Sequence, residues 1–463
     1  MIRAIKGQTT VIAKEIKKRD EVQIVTHIDA DGIAAGAIAQ CCLHRAGIEN
    51  RIQFVKQLDQ TTIEHIKDEG LFTWFTDLGS GVLSRLENID YLITDHHAPD
   101  QFSLAAQDRW RHLNPHLLGI DGCNEISGAG LALTVATAVD RQNFDLSGLA
   151  IIGASGDLQD AAHCRFEGWN RDLLSSAVAM GKIAVVHDVR LFGRQTKPAF
   201  KLLQYADDPF LPGLSGRQGA SIAFLAYLKV PVKMHKTWQR WIDFSTSERR
   251  TVISALCRLL ITKGFGHQSV TRLVGEVCEL KDEEIGTSLR DTREFATLLN
   301  STARYGHAEV GLNICLGDRD EYLHQAHNLL KSHRKSIVQG IRFVKNGGIQ
   351  ELESLQYFDA GNSIRDTVVG VIAGIVLHSH HANPSIPLVG LANKKNGHVK
   401  ASARTTAPLV HRGVNLSKAI QSVVQMVGGI GGGHDIAAGA VIPRERTDDF
   451  LKLLNKEIQN QLT

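Results

Sequence analysis

The sequence predicts an α/β protein built on a parallel sheet, followed by a helical middle region and a smaller α/β domain at the C-terminal end. Three observations carry that expectation. Short apolar runs alternate with helix-period segments over roughly the first 200 residues, as in a doubly wound sheet. A cluster of turn residues, Asp207-Asp208-Pro209-Phe210-Leu211-Pro212-Gly213, then interrupts the alternation, and the pattern is mostly helical up to Arg304. Strand signals return only after one long helical stretch, Asp318 to Lys345.

In chain order, Val22 to Val25 reads as a buried strand, and the alanine-rich Ile33 to Ala46 as a helix lying close against it. Arg51 to Val55 is a second strand, Ile63 to Glu69 a short helix, and Leu71 to Phe75 a third strand. Tyr91 to Ile93 is a fourth, and Leu149 to Ile152 is read as a later one. The long helix opens on Asp318, Asp320 and Glu321 and closes on Lys335, Arg342 and Lys345, which suits its dipole. Gly347-Gly348 is its stop. Strands follow at Ile386 to Leu391 and Val399 to Ser402, and a glycine-rich loop and a helix end the chain. The expected domains are 1–205, 206–315 and 316–463.

Composition narrows the class. The chain has 463 residues, enough for a sizeable core, with 43% apolar and 22% charged residues, as in soluble globular proteins. A net charge of +3 does not by itself point to nucleic acid. Seven cysteines without a Cys-x-x-Cys pair argue against a disulfide framework and a zinc ribbon, and fit a reducing compartment. The first residues lack the apolar core of a signal peptide. The longest apolar run, Val368 to Leu377, is far shorter than the roughly 20 residues that span a bilayer. A cytoplasmic protein with no membrane partner is expected.

Four segments share one grammar: "IVTHIDADG", "WFTDLGSG", "LITDHHAPD" and "IIGASGDLQD". Each sets acids or histidines after an apolar run. The candidates are His27, Asp29 and Asp31, then Asp77, then Asp95, His96 and His97, then Asp157. In a parallel sheet these ends share the edge where open α/β sheets build their sites. Clustered carboxylates cannot all stay ionised without a cation. Oxygen and imidazole donors suit Mn²⁺, with Mg²⁺ as a substitute, better than a structural zinc. Two such ions about 4 Å apart are an arrangement for phosphoester hydrolysis. Any one segment alone, such as Thr76-Asp77-Leu78-Gly79, is an ordinary cap or turn; four in register are not.

The four segments resemble the motifs of the DHH phosphoesterase superfamily, with Asp95-His96-His97 as the name-giving triplet. Leu113 to Leu133, "LNPHLLGIDGCNEISGAGLAL", resembles the Asn-Pro and Ser-Gly-Ala-Gly segment of the RecJ branch. Asp291 to Gly306 is similar to a segment of archaeal RecJ-like proteins. The resemblance implies His27, Asp29, Asp31, Asp77, His96 and Asp157 as ligands of two metal ions. Asp77 and Asp157 would touch both ions, and His97 would face the scissile phosphate. Asp95 is implied as an orienting carboxylate behind a histidine. Where some branches have a further aspartate this chain has Ile33, which leaves the division of labour among His27, Asp29 and Asp31 open.

A second feature is "GGIGGGHDIAAGA", Gly428 to Ala440, whose glycines would let backbone N–H groups approach a phosphate. Lys394, Lys395, Lys400, Arg404, Arg412 and Lys418 stand nearby with no acid among them. A solvated basic face is the plain reading. Ser402-Ala403-Arg404 followed by this loop also resembles the DHH-associated C-terminal domain. That likeness implies Ser402, Arg404, Gly432, Gly433 and His434 as nucleic-acid contacts across a cleft from the metals. It further implies an exonuclease releasing nucleoside monophosphates from single-stranded DNA or RNA, in replication and repair or in RNA turnover. Alternatives are a nano-RNA or cyclic-dinucleotide phosphodiesterase, and a replication scaffold bound to the GINS complex. Three further features have plainer readings: Asp160 as a helix cap, His187-Asp188 as a satisfied strand end, and Trp238 with Trp241 as helix core.

Overall fold

Apart from Gln23, the run Val22–Val25 is apolar, and the strand it forms, β1 (Glu21–His27), is buried along five consecutive residues. A strand buried on both faces needs parallel neighbours and covering helices. The computed structural model, which describes residues 2–100, 106–377, 381–394 and 397–462, supplies both. It divides into two units, one ending at His327 and one beginning at Asn328.

In the first unit β2 (Glu49–Val55), β3 (Phe72–Thr76), β4 (Tyr91–Thr94) and β5 (His112–Leu113) complete an all-parallel five-stranded sheet, ordered β2-β1-β3-β4-β5. The chain leaves β1 for one side and returns to the other. The switch point where such sheets bind ligands therefore lies between the ends of β1 and β3. The helices are α1 (Ile2–Ile16), α2 (Ala30–Arg45), α3 (Gln60–Glu69), α4 (Gly128–Val139), α5 (Ser147–Gly156) and α6 (Gly168–Ala179). In α2 every residue from Ala30 to Ala39 is buried. Its small residues allow this: a Cβ on Gly36 would stand 2.8 Å from Ile52 Cδ1.

The run Leu149 to Ile152, expected as a strand, lies inside α5. A short apolar run does not distinguish a buried strand from a buried helix. Here Gly153 and Gly156 let the helix pack tightly on α2 and α4; their Cβ positions would fall 2.7 Å from Ala129 Cβ and 2.8 Å from Ala30 Cβ.

β6 (Ile183–Val189) and α7 (Ala199–Gln204) precede the expected middle region, which is mostly helical but also contains strands. It holds α8 (Gln218–Tyr227), a hairpin of β7 (Lys233–Met234) and β8 (Thr237–Trp238), α9 (Thr246–Thr262) and α10 (His267–Leu273). Then come β9 (Val274–Leu280), α11 (Thr292–Arg304), α12 (Ala308–Cys315) and α13 (Glu321–Gly347). β9 pairs antiparallel with β6. Trp238 lies on the hairpin, not a helix, and the buried Trp241 donates its Nε1–H to Asp188. Asp188 also pairs with Arg194 at 2.8 Å, while His187 is exposed. Asp160 caps no helix; it is buried between Arg190 at 3.0 Å and Arg293 at 2.8 Å.

Arg194 is almost fully buried and also meets Glu279 and Asp291, each at 3.3 Å. Nearby, Glu294 accepts hydrogen bonds from Gln195 N and Thr196 Oγ1. Burial and the charge of Asp291 push the Glu294 carboxyl up to about 7, and burial pushes Asp291 up to about 6. Between the ordinary carboxylate range and pH 7 the folded state therefore holds protons that the unfolded chain has released. Stability from these groups is present at low pH and declines as pH rises through that window. Glu294→Gln should flatten the decline, raising the melting temperature relative to wild type at pH 8 but not at pH 5. Circular-dichroism melts at the two pH values check this; an equal difference at both would contradict it.

The second unit is a six-stranded mixed sheet ordered β10-β11-β12-β13-β15-β14. Its strands are β10 (Gln350–Glu351), β11 (Gln356–Asp359), β12 (Leu388–Asn393), β13 (His398–Arg404), β14 (Ile430–Gly433) and β15 (Ala437–Pro443). Its helices are α14 (Val369–Leu377), α15 (Ala407–His411), α16 (Leu416–Val427) and α17 (Thr447–Leu462). Alternate strand residues feed two cores. Val389, Leu391, Ala401 and Ala403 pack with Ile420, Val423, Phe450 and Leu454. Leu388 and Ala392 pack with Val344, Ile372 and Val376. The glycine-rich stretch is the edge strand β14 where a loop was expected. Pairing with β15 holds it, and Gly431 lets α16 approach, since a Cβ there would meet Ile420 Cγ2 at 2.6 Å. All seven cysteines are free. No described helix is long and apolar enough to cross a membrane.

Candidate metal centre

The eight candidate acids and histidines of the four segments lie at or just beyond the ends of regular elements. His27 ends β1, Asp29 is the N-cap of α2, and Asp31 sits in its first turn. Asp77 follows β3 with φ +61°, a left-handed conformation that aspartate tolerates better than most residues. Asp95, His96 and His97 follow β4, and Asp157 is the C-cap of α5.

The structure brings all six expected ligands together. His27 Nδ1 is 2.8 Å from Asp29 Oδ2 and 3.6 Å from Asp77 Oδ2. His96 Nε2 is 3.3 Å from Asp77 Oδ1, 3.2 Å from Asp157 Oδ2 and 3.8 Å from Asp31 Oδ2. His97 Nδ1 is 3.9 Å from Asp77 Oδ1. Three overlapping groups result, each with donor atoms within 4.8 Å of one another: His27, Asp29 and Asp77; Asp31, His96 and Asp157; Asp77, His96 and His97.

These residues fit a divalent cation. Both oxygens of Asp77, His96 Nε2 and His27 Nδ1 are buried without a hydrogen-bond partner. The ring nitrogens come close to carboxylate oxygens but do not aim an N–H at them, as lone pairs directed at a shared cation would be arranged. For His96 the tautomer is fixed from behind. Its Nδ1–H donates to the Gly122 carbonyl at 2.6 Å, which leaves Nε2 as the free donor atom.

Electrostatics agree. Burial, together with the charges of Asp77 and Asp157, holds the Asp31 carboxyl well above the usual range. Burial also raises Asp157. Burial opposes protonation of His27, but Asp29 and Asp77 outweigh it, and its pKa rises well above the ordinary value. His96 behaves alike beside Asp157 and Asp77. Burial would raise Asp29, but His27 and the Gly32 N–H hold it low, and its side chain stays partly exposed. Such a cluster retains protons without metal and releases them on binding one.

Asp95 stands outside these groups. Its Oδ1 accepts from His97 Nδ1 at 2.8 Å and from His97 N at 3.1 Å, and its Oδ2 accepts from Ser80 N at 2.9 Å. Burial would raise this carboxyl, but His97 holds it low, and Asp95 in turn raises His97 against the effect of burial. The His97 ring is thereby oriented while its side chain stays half exposed.

Several supporting residues escape sequence reasoning. The N–H groups of Gly128 and Ala129 opening α4 donate to the two oxygens of Asp31, at 2.6 and 3.0 Å. A Cβ on Gly128 would stand 2.6 Å from Asp77 Cβ, and one on Gly153 2.1 Å from Asp31 Oδ1. Gln159 donates to the carbonyls of Gly122 and Ile126, bracing the strap behind His96. Asn114 donates to Ser80 Oγ and to the His97 carbonyl. From α11, Asn300 Oδ1 accepts from Ala30 N at 3.0 Å, and Arg304, its pKa lowered by burial, feels the Asp29 charge. Only the Ser-Gly-Ala-Gly and Asn-Pro sequences signalled any of this.

In the second unit the register sets Ser402, Gly439 and Gly432 in one row across β13, β15 and β14. Lys400, Ser402 and Arg404 alternate along β13 and so share a face. The Arg404 guanidinium lies over α14, where a Cβ on Gly370 would stand 2.7 Å from its Nη2. Gly433 ends the edge strand with φ +141°, and His434, whose N–H donates to the Ala437 carbonyl, is exposed. Lys395 lies outside the described residues.

The DHH-CID domain model matches residues 191–274, and the DHHA1 domain model matches residues 354–460. An uncharacterized protein of Methanocaldococcus jannaschii is 28% identical over 448 residues, 95% of this chain and 94% of the relative. RecJ of Thermus thermophilus, solved in complex with Mn²⁺, superposes with a TM-score of 0.59 at 15% identity over 98% of this chain. That alignment spans only 55% of the Thermus chain. A manganese-bound exonuclease RecJ gives a TM-score of 0.58 at 15% identity, covering 98% of this chain and 94% of its own. CDC45 from Entamoeba histolytica gives 0.68 at 12% identity, covering 98% and 99%. Residues 191–274 and 354–460 thus match DHH-CID and DHHA1 domains, and the chain shares its fold with the RecJ and CDC45 structures.

Proposed function

We propose that the protein is a metal-dependent exonuclease that hydrolyses phosphodiester bonds of single-stranded DNA or RNA to nucleoside monophosphates. One observation carries the reading. The two oxygens of buried Asp77 divide between separate donor groups, Oδ2 toward His27 and Oδ1 toward His96. A carboxylate so placed is suited to bridge two cations.

His27, Asp29 and Asp77 would hold one ion, and Asp31, Asp77, His96 and Asp157 the other. The oxygen-rich donor set with imidazole favours Mn²⁺, with Mg²⁺ as a substitute. When bound, a pair of such ions supplies Lewis-acid activation of water and of a phosphoryl oxygen. The chain's own residues do the rest. The α4 N-terminus fixes the Asp31 carboxylate, and Asp95 turns His97 so that its outer nitrogen can donate to a phosphate oxygen. Ser402, Arg404, Gly432, Gly433 and His434 are assigned to the strand, the edge of β14 offering backbone N–H groups. The manganese-bound RecJ structures support the choice of ion and reaction class.

A 5-mer and a 40-mer, each incubated with Mn²⁺, test this reading. Comparable turnover of both, lost on chelation, is expected. Turnover of the 5-mer or a cyclic dinucleotide alone would favour a small-substrate phosphodiesterase. The likeness to CDC45 along both chains supports one second reading, a scaffold of the replication machinery bound to GINS. Capture by GINS without manganese-dependent turnover would favour it, and the intact donor set stands against it.

A further inference from the structure

From Val189 to Ile242 there are nine lysines and arginines but two acids, Asp207 and Asp208. Arg190 and Arg194 are consumed in the buried ion network, Arg240 pairs with Asp243, and Asp208 pairs with Arg272. Arg217, Lys229, Lys233 and Lys236 are exposed. This excess of positive charge stands on elements that contribute none of the six metal donors.

Aromatic rings are interleaved with it. Tyr227, at the end of α8, is 85% exposed, and Tyr205, after α7, is 54% exposed. Lys197 Nζ lies 4.4 Å from the Phe192 ring centroid and 5.3 Å from that of Tyr205. Lys233 Nζ lies 4.0 Å from the Trp238 ring, which in turn packs on Phe200 at 4.6 Å. That contact, and the bridge between Pro198 and Arg240, join the α7 segment to the β7–β8 hairpin as one surface.

The hairpin tip is strained. His235 and Lys236 occupy the two turn positions with φ +47° and +70°, where glycine or asparagine is usual. Both side chains are exposed, with Met234 beside them. Strain of this kind is kept where the displayed side chains have a use.

Positive charge interleaved with exposed aromatic faces suits a flexible polyanion whose units carry π-faces. An acidic protein would use the charge and leave the rings idle. We propose that the surface formed by α7, the end of α8 and the β7–β8 hairpin is an auxiliary binding face for single-stranded nucleic acid. Lysines there meet phosphates, and Tyr205 and Tyr227 stack on bases. The proposal rests on the nuclease reading and deepens it, giving the middle region the task of gripping a strand beyond the few nucleotides at the metal centre.

The double variant Lys229→Glu/Lys236→Glu and the single variant Tyr227→Ala test it on the full chain. Binding of a fluorescent 30-mer of oligo-dT is followed by anisotropy over a salt series, in Ca²⁺ or EDTA. Hydrolysis of a 4-mer in Mn²⁺ is measured in parallel. The double variant should bind the 30-mer about tenfold more weakly, with a salt slope lower by about 1.4, about 0.7 for each lost phosphate contact. Tyr227→Ala should weaken binding about fivefold or more. The 4-mer rate should stay at the wild-type level in both. Unchanged 30-mer affinity and salt slope would overturn the proposal while leaving the nuclease reading intact. Failure of the wild type to bind or cleave any single strand would overturn both. Loss of poly-glutamate binding in the double variant, with no effect of Tyr227→Ala on the 30-mer, would mark a general surface for acidic proteins and also overturn it.

Discussion

Asp77→Asn should lower hydrolysis by about 10³-fold or more, since it neutralises the one carboxylate whose two oxygens face separate donor groups. The fold should survive. Asp77 makes no hydrogen bond through its carboxylate that the surrounding protein needs. The asparagine side chain keeps the shape, and asparagine is tolerated at the residue's φ of +61°. The metal-free variant should therefore melt close to wild type. In the wild type, ligand binding raises stability as RT ln(1 + [L]/Kd), so Mn²⁺ should raise the melting temperature in a concentration-dependent way. The variant should lose most of that rise. Scanning fluorimetry with and without Mn²⁺, beside a hydrolysis assay, checks both halves. Near-normal activity would remove Asp77 from the metal set.

Gly153→Ala should damage the same centre without touching a ligand. Glycine to alanine in a helix interior ordinarily gains roughly 0.5–1 kcal/mol. At position 153 the new methyl would stand 2.1 Å from Asp31 Oδ1 and 2.7 Å from Ala129 Cβ. The helix α5 must back away or Asp31 must leave the N–H groups of Gly128 and Ala129. Overpacking of this kind costs about 1–3 kcal/mol. Displacing a ligand through its support lowers metal affinity about 10- to 100-fold. Gly7→Ala is the control, because nothing lies within 4 Å of a Cβ there. It should leave metal affinity untouched and stability equal or higher. Calorimetric Mn²⁺ titration and thermal melts of the two variants decide; wild-type affinity in Gly153→Ala would show that the helix relaxes freely.

What was legible in the sequence follows from where its signals are local. An apolar run followed at once by His27, Asp29 and Asp31, or by Asp77, or by His96, states both the strand and the donor at its end. The doubly wound sheet and the assembly of donors follow from that repetition. Asp157 obeyed the same grammar for a different reason. Its apolar run is a buried helix, and four to eight apolar residues carry no period that tells the two apart. The supports were not legible, because they come from far along the chain and use chemically ordinary groups. Gln159 braces Gly122, Asn300 meets Ala30 over 270 positions, and backbone N–H groups hold Asp31. Asp160 resembled a cap because its partners, Arg190 and Arg293, are 30 and 133 residues away. The glycines of β14 resembled a loop because glycine is a weak strand former, and pairing with β15 overrides that preference.

The measurement that bears most directly on the proposed two-metal, strand-degrading centre is the product length from an end-labelled 40-nucleotide single strand incubated with Mn²⁺. DNA and RNA versions, each labelled at either end, are followed from the first turnovers. Mononucleotides released from one end from the outset, abolished by chelation and by Asp77→Asn, are the expected result. Internal fragments without mononucleotides, or degradation that persists in Asp77→Asn, would contradict it.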